Sequence, residues 1–144
     1  MDAFEAVSTP AFSAPADARY FSVAQANRAL VLVRRIVADV VRDYRRLRGL
    51  QEAFESYDQK GNLPMAEQAR QGYVDVFNRL SELRDELEEI GCELKDYDLG
   101  LVDFPARLDG HEVVLCWKLG EPTVAFWHEI EGGFSGRRPI AQDA

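Results

Sequence analysis

Cysteine is scarce in this chain. Cys92 and Cys116 are the only two in 144 residues, and they have no CxxC spacing. That excludes a disulfide framework or a thiolate-rich zinc module and points to a reduced, cytoplasmic setting. No apolar run reaches the roughly 20 residues that a membrane-spanning helix needs. Positive charge is the minority, with 17 Lys and Arg against 25 Asp and Glu for a net charge of −8. Such a balance argues against nucleic-acid binding, which depends on neutralising phosphates, and against adhesion to an anionic membrane. Phosphate-loop, dinucleotide and catalytic-triad motifs are all missing, as are the HxxxH and HExxH spacings.

Residues 1–20 are rich in Ala, Pro, Ser and Asp without periodicity and read as a mobile leader. They carry acidic residues and no apolar core, so they do not form a signal peptide. One domain is expected over 21–140, with a helical hairpin at 22–91, a β-meander and Gly/Arg tail at 92–140, and a short tail at 141–144.

Ser22 and Gln25 fit a capping box that opens the first helix. From there Leu30, Val33, Val37, Val40, Tyr44, Leu47, Gln51 and Phe54 recur at alternating three- and four-residue spacing. Gly61, Asn62 and Pro64 mark a break. Ala66, Ala69, Tyr73, Val76, Leu80, Leu83, Leu87 and Ile90 then repeat the rhythm, and Gly91 supplies a C-terminal cap. The two stripes mirror one another about position 60, so folding at the break sets apolar residue against apolar residue. This predicts a long antiparallel two-helix coiled-coil hairpin. The first helix is basic and the second acidic, which places Arg34 and Arg35 level with Asp85 and Glu86. The run Arg45-Arg46-Leu47-Arg48 reads as a solvated flank. Ile36, Val41, Leu50, Val74 and Phe77 lie off the seam and call for a further partner, either the sheet or a second copy of the chain.

Asp109-Gly110 is a two-residue hairpin signal, and Leu119-Gly120-Glu121-Pro122 marks a second turn. Three strands are predicted, at 101–107, 112–118 and 123–129. Tight turns would set Asp103 opposite Cys116 and Cys116 opposite Ala125. In that register Phe104, Trp117, Phe126 and His128 face the base of the hairpin. Asp103, Cys116 and Trp127 share the other face. The fold class expected is therefore α+β, a helical hairpin with a small antiparallel β-meander packed at its base.

This register separates Cys116 from His128 and so disfavours a metal site, while Asp103 beside Cys116 would raise the thiol pKa. Trp117 belongs to the core, and Trp127 is the interface anchor. The Gly-rich tail ending in Arg137 and Arg138 is either an anion-binding nest or a solvated loop docked by Phe134.

The strings FSVAQAN at 21–27, ELKD, GLVDFP, LCW with GE, WH and GF-x-GR resemble the bacterial family filed as domain of unknown function 2203, across residues 21–139. The resemblance implies Lys95, Asp96, Asp103, Cys116, Trp117, Glu121, Trp127, His128 and Arg137 as motif residues and leaves their chemistry open.

The function expected from the sequence is a non-catalytic, self-associating module that binds a partner or ligand through the meander face. Asp103, Cys116, Trp127, Glu121, His128 and Arg137 are its candidate binding residues. No cofactor is expected, and a homo-oligomer or a small anionic partner is. The alternative is a small enzyme or metal- or anion-binding protein built on Asp103, Glu121, His128 and Arg137. It requires those side chains to converge.

Overall fold

The computed structural model describes residues 20–141; all of the expected leader at 1–20 except Tyr20 lies outside them, as do residues 142–144. Helix α1 (Val23–Gln59) and helix α2 (Leu63–Ile90) form the hairpin. Each end follows from local chemistry. The Ser22 hydroxyl accepts from Gln25 N–H at 3.0 Å and the Gln25 side chain accepts from Ser22 N–H at 2.9 Å, which completes the capping box. Asn62 caps α2, and Gly91, at φ 111°, ends it in the left-handed region that favours glycine.

The predicted stripes form the seam. Leu30, Val33, Val37 and Val40 pack with Val76, Leu80 and Leu87, all buried. Toward the tip the seam thins: Ala66 and Ala69 stay buried, but Gln51 is exposed and its amide turns to Glu55. The charge register departs from expectation as well. Arg34 donates to the Pro122 carbonyl at 3.0 Å, and the ion pair joining the helices is Asp43 with Arg79. The Asp43 carboxylate, 1% exposed, accepts from Arg79 Nε at 3.0 Å and Nη2 at 3.2 Å, with Arg42 Nε at 3.3 Å. Hydrogen bonding from Arg79, above all, holds this carboxyl below its ordinary range.

After α2 come strands β1 (Glu93–Asp96), β2 (Leu101–Leu108), β3 (His111–Lys118), β4 (Phe126–Glu129) and β5 (Arg138–Pro139). They form one antiparallel sheet in chain order, two strands wider than the meander expected. The Asp109-Gly110 turn, with φ of 51° and 84°, is the two-residue turn that the strand twist prefers. It pairs Asp103 with Cys116 and Val102 with Trp117 as expected. One face of the sheet, with Val102, Phe104, Leu115 and Trp117, is buried in a common core with Ala26, Leu30, Val33 and Leu87. Ile36 and Val41 are buried in the same core, whereas Phe77 stays half exposed. Gly100, in the turn before β2, lies close against α1. At φ 73° it has room for no side chain, since an added Cβ would lie 2.8 Å from Leu119 Cβ and 3.0 Å from Val37 Cγ1.

Among the described residues no helix is long and apolar enough to cross a membrane.

Candidate functional site

The register of β4 overturns one sequence expectation, and the site follows from that correction. Cys116 pairs with Phe126, not Ala125, and Val114 pairs with His128. The cause lies in the connector at 119–125. Glu121 folds it into a compact turn: its carboxylate accepts from Lys118 N–H and its carbonyl from the Trp117 indole N–H, both at 3.0 Å. Asn27 of α1 then takes both backbone groups of Val124, accepting from its N–H at 2.8 Å and donating to its carbonyl at 3.3 Å. Val124 is thus bonded to a helix where the sequence suggested a strand partner. The chain enters the sheet at Phe126, one residue out of step. With a side-chain period of two, a one-residue slip exchanges the faces.

The exchange moves His128 to the outer face and Trp127 to the helix side. Trp127 stands opposite Leu115, partly buried against the core and under the Arg138 guanidinium. It is therefore not the outer-face anchor that the expected register made it. His128, Asp103 and Cys116 meet instead on three adjacent strands. Their exposures are 3%, 8% and 1%. One donor atom from each lies within 4.8 Å of the other two, and His128 Nε2 is 3.5 Å from Asp103 Oδ1.

His128 Nδ1 is 2.7 Å from the Glu129 carbonyl. A carbonyl only accepts, so Nδ1 carries the proton and, in the neutral ring, Nε2 turns its lone pair toward Asp103 and Cys116. An imidazole nitrogen, a carboxyl oxygen and a thiol sulfur, each able to ligate a metal ion, then face one another in a buried space. A fully formed imidazolium–carboxylate bond would close to about 2.7–2.9 Å. The observed 3.5 Å is long for that bond. It matches the roughly 3.3–3.6 Å between ligand atoms placed tetrahedrally at zinc–oxygen, zinc–nitrogen and zinc–sulfur distances. The Glu129 carbonyl holds the ring as backbone carbonyls commonly hold metal-binding histidines.

Electrostatics fit the same picture. Burial, first, pushes the Asp103 carboxyl above its ordinary value, with Glu93 adding to it and His128 and Lys95 opposing. Burial also pushes the Cys116 thiol up to about 11, and Asp103 contributes in the same direction. Both groups resist ionisation in the absence of a cation, and a divalent ion at their centre reverses that preference.

Of the other sequence candidates, Glu121 and Arg137 form a separate unit beside this cluster. Arg137 makes a two-pronged bond to the Glu121 carboxylate, at 2.7 and 2.8 Å, and donates to the Cys116 carbonyl at 3.3 Å. Its guanidinium lies between the rings of Phe126 and Phe134, 4.0 and 4.5 Å from their centroids. Arg137 is therefore committed to Glu121 and is not a free anion clamp. It returns the chain across the outer face, where Gly132 lies against His128, an added Cβ there coming 3.8 Å from His128 Cβ. Asp96 serves the β1–β2 turn, its carboxylate accepting from the N–H groups of Asp98 and Leu99. Cys92 is buried apart from the cluster, with its thiol raised to about 12 by burial.

The alternative reading required Asp103, Glu121, His128 and Arg137 to converge. They form two separate pairs, Asp103 with His128 and Glu121 with Arg137, the second of which reaches the Cys116 carbonyl. The sequence signal for Cys116 as a member of the donor set was its pairing with Asp103; what was missing was the pull of Asn27 on Val124.

No curated protein and no solved structure matches the chain. Residues 19–140 match a family model described as "Uncharacterized conserved protein (DUF2203)", and the chain belongs to that family.

Proposed function

We propose that this protein is a metal-binding module that holds a divalent transition-metal ion, zinc before others, through Asp103, Cys116 and His128. The observation that carries this reading is the convergence of three buried groups of different type, one ligand atom from each lying within 4.8 Å of the other two and His128 Nε2 lying 3.5 Å from Asp103 Oδ1. A thiolate and an imidazole in one set select borderline and soft cations over magnesium or calcium. Three protein donors with water or a small ligand as the fourth is the pattern of zinc sites that interact with exogenous molecules. Binding would release the Cys116 proton to solvent and join β2, β3 and β4 through one ion.

The test is elemental analysis of protein purified without chelator, followed by zinc titration of metal-free protein. About one equivalent is expected in the wild type and well under a tenth of that in Cys116→Ala and His128→Ala. His111→Ala is the control, because His111 is 53% exposed and 3.4 Å from Glu129. Zinc at a hundred times its Kd should raise stability by about 2.7 kcal/mol. Absence of zinc uptake, or uptake lost equally in His111→Ala, would sink the reading.

Self-association is a second reading, favoured by exposed Val31, Leu32 and Phe77 on the hairpin. Sedimentation equilibrium should show a species heavier than 16.3 kDa, and a monomer at every concentration would dismiss it.

A further inference from the structure

Arg137 Nε is buried and has no hydrogen-bond partner. The rest of the guanidinium is well supplied: both Nη atoms bond the Glu121 carboxylate, Nη2 also reaches the Cys116 carbonyl, and the two phenylalanine rings hold the plane. A planar group fixed on this many sides cannot turn its last N–H toward solvent. An uncommitted buried donor within a satisfied set calls for an acceptor.

Cys116 supplies one. Its carbonyl already accepts from Nη2 at 3.3 Å, which sets the guanidinium beside residue 116, and the thiol lies within reach of the guanidinium's charge. A neutral thiol is a weak acceptor, whereas a thiolate is a strong one for a charged donor. We infer that Arg137 is the positioning residue of the metal site: its guanidinium donates to the metal-bound Cys116 thiolate, and the uncommitted N–H becomes satisfied when the ion is bound. This rests on the metal reading of Asp103, Cys116 and His128. It adds a residue outside that ligand set and a physical link between ion and tail. The same guanidinium that contacts the sulfur anchors residues 134–137 to the turn at Glu121. Arg137 touches the ion only through Cys116, as outer partners of metal ligands do.

The experiment uses the full chain loaded with cobalt(II), whose sulfur-to-metal charge-transfer band reports on the thiolate directly. A hydrogen bond lowers the energy of the sulfur lone pair and moves that band to shorter wavelength. Arg137→Gln should therefore shift the band to longer wavelength and weaken cobalt binding by about 10–100-fold. Glu121→Gln loosens the tail but leaves the guanidinium beside the sulfur, so its band should stay with the wild type. Arg137→Lys keeps the charge and lacks the fork, and it serves as the second variant if Arg137→Gln does not fold; a shift in the same direction is expected.

An equal shift in Glu121→Gln and the Arg137 variants would make Arg137 a tail latch only and overturn the inference. So would a band and affinity that none of these substitutions moves. If the wild type itself takes up no cobalt, the metal reading has failed. If it takes up cobalt with a thiolate band indifferent to Arg137, the metal reading stands and this inference alone falls.

Discussion

Gly100→Ala tests the contact on which the sheet is seated. Gly100 lies at φ 73°, and a Cβ built there would come 2.8 Å from Leu119 Cβ, 3.0 Å from Val37 Cγ1 and 3.2 Å from Val41 Cγ2. The left-handed conformation costs a non-glycine residue about 1–2 kcal/mol. Forcing a methyl group into a packed core adds about 1–3 kcal/mol. None of the three atoms is the free end of a long side chain. Val37 is fully buried in the seam, and the Leu119 contact is at its Cβ, so neither can move aside cheaply. The expected loss is about 2–5 kcal/mol, a large part of the stability of a domain this size. Urea unfolding followed by far-ultraviolet circular dichroism measures it as a lower midpoint at unchanged slope. Gly49→Ala is the internal reference. It lies within α1 with nothing closer than 4 Å to its added Cβ, and it should gain about 0.5–1 kcal/mol from helix propensity. If Gly100→Ala cost less than about 1 kcal/mol, the seating of β2 on α1 would be wrong as described.

Three further outcomes follow. Asp43 is buried and its partner Arg79 is 47% exposed, so Arg79→Met, which leaves the buried carboxylate only the longer contact to Arg42, should destabilise more than Asp43→Leu, which removes it. Because pairing depresses the Asp43 carboxyl below 3.8, its contribution is present above that pH and is lost as pH falls through the folded value. The Arg79→Met deficit in urea melts at pH 7 should shrink toward pH 3, and a deficit independent of pH would refute the assignment. Burial raises the Asp103 carboxyl, so the folded chain loses stability as pH rises past 3.8. Asp103→Asn should melt higher than wild type at pH 7 when both are metal-free, the gap closing near pH 3, while zinc uptake is abolished. A lower melting point at pH 7 would contradict this. With Cys92 raised to about 12 and Cys116 to about 11, neither thiol of the chelator-treated native protein should react with a disulfide reagent at pH 8. Both should appear in urea, and rapid native labelling of either would show an open site.

What the sequence made legible is what local chemistry decides. The seam from Leu30 to Val40 could be read because a helix repeats its faces every three or four residues. Ser22, Gly91 and Asp109-Gly110 could be read because caps and two-residue turns constrain their own residues. That turn also fixed Asp103 opposite Cys116. His128 and Trp127 were assigned to the wrong faces because the step into β4 depends on Asn27, a residue nearly the whole domain away, bonding Val124. No periodicity within residues 119–129 carries that information. Arg137 was singled out as part of a motif, but its partner Glu121 is brought to it only by the turn beneath the tail. Asp43 gives no sign of its role in the sequence for a related reason. A carboxylate beside an apolar stripe looks solvated until Arg79 of the other helix is seen to cover it.

The three residues of the proposed site sit on three consecutive strands, β2, β3 and β4, and the register of the last goes with the bond between Asn27 and Val124. No two of them are neighbours in the chain, so the unfolded polypeptide offers no preformed claw for an ion. Metal capture should accordingly come late, after the hairpin has closed and β4 has found its register. In refolding followed by stopped flow, zinc would leave the rate of folding unchanged and slow only the return to the unfolded state. A chain with β4 one step out of register, as its sequence suggests, would be compact, well paired and unable to bind the ion. The ion would thus discriminate between two ways of completing the same sheet.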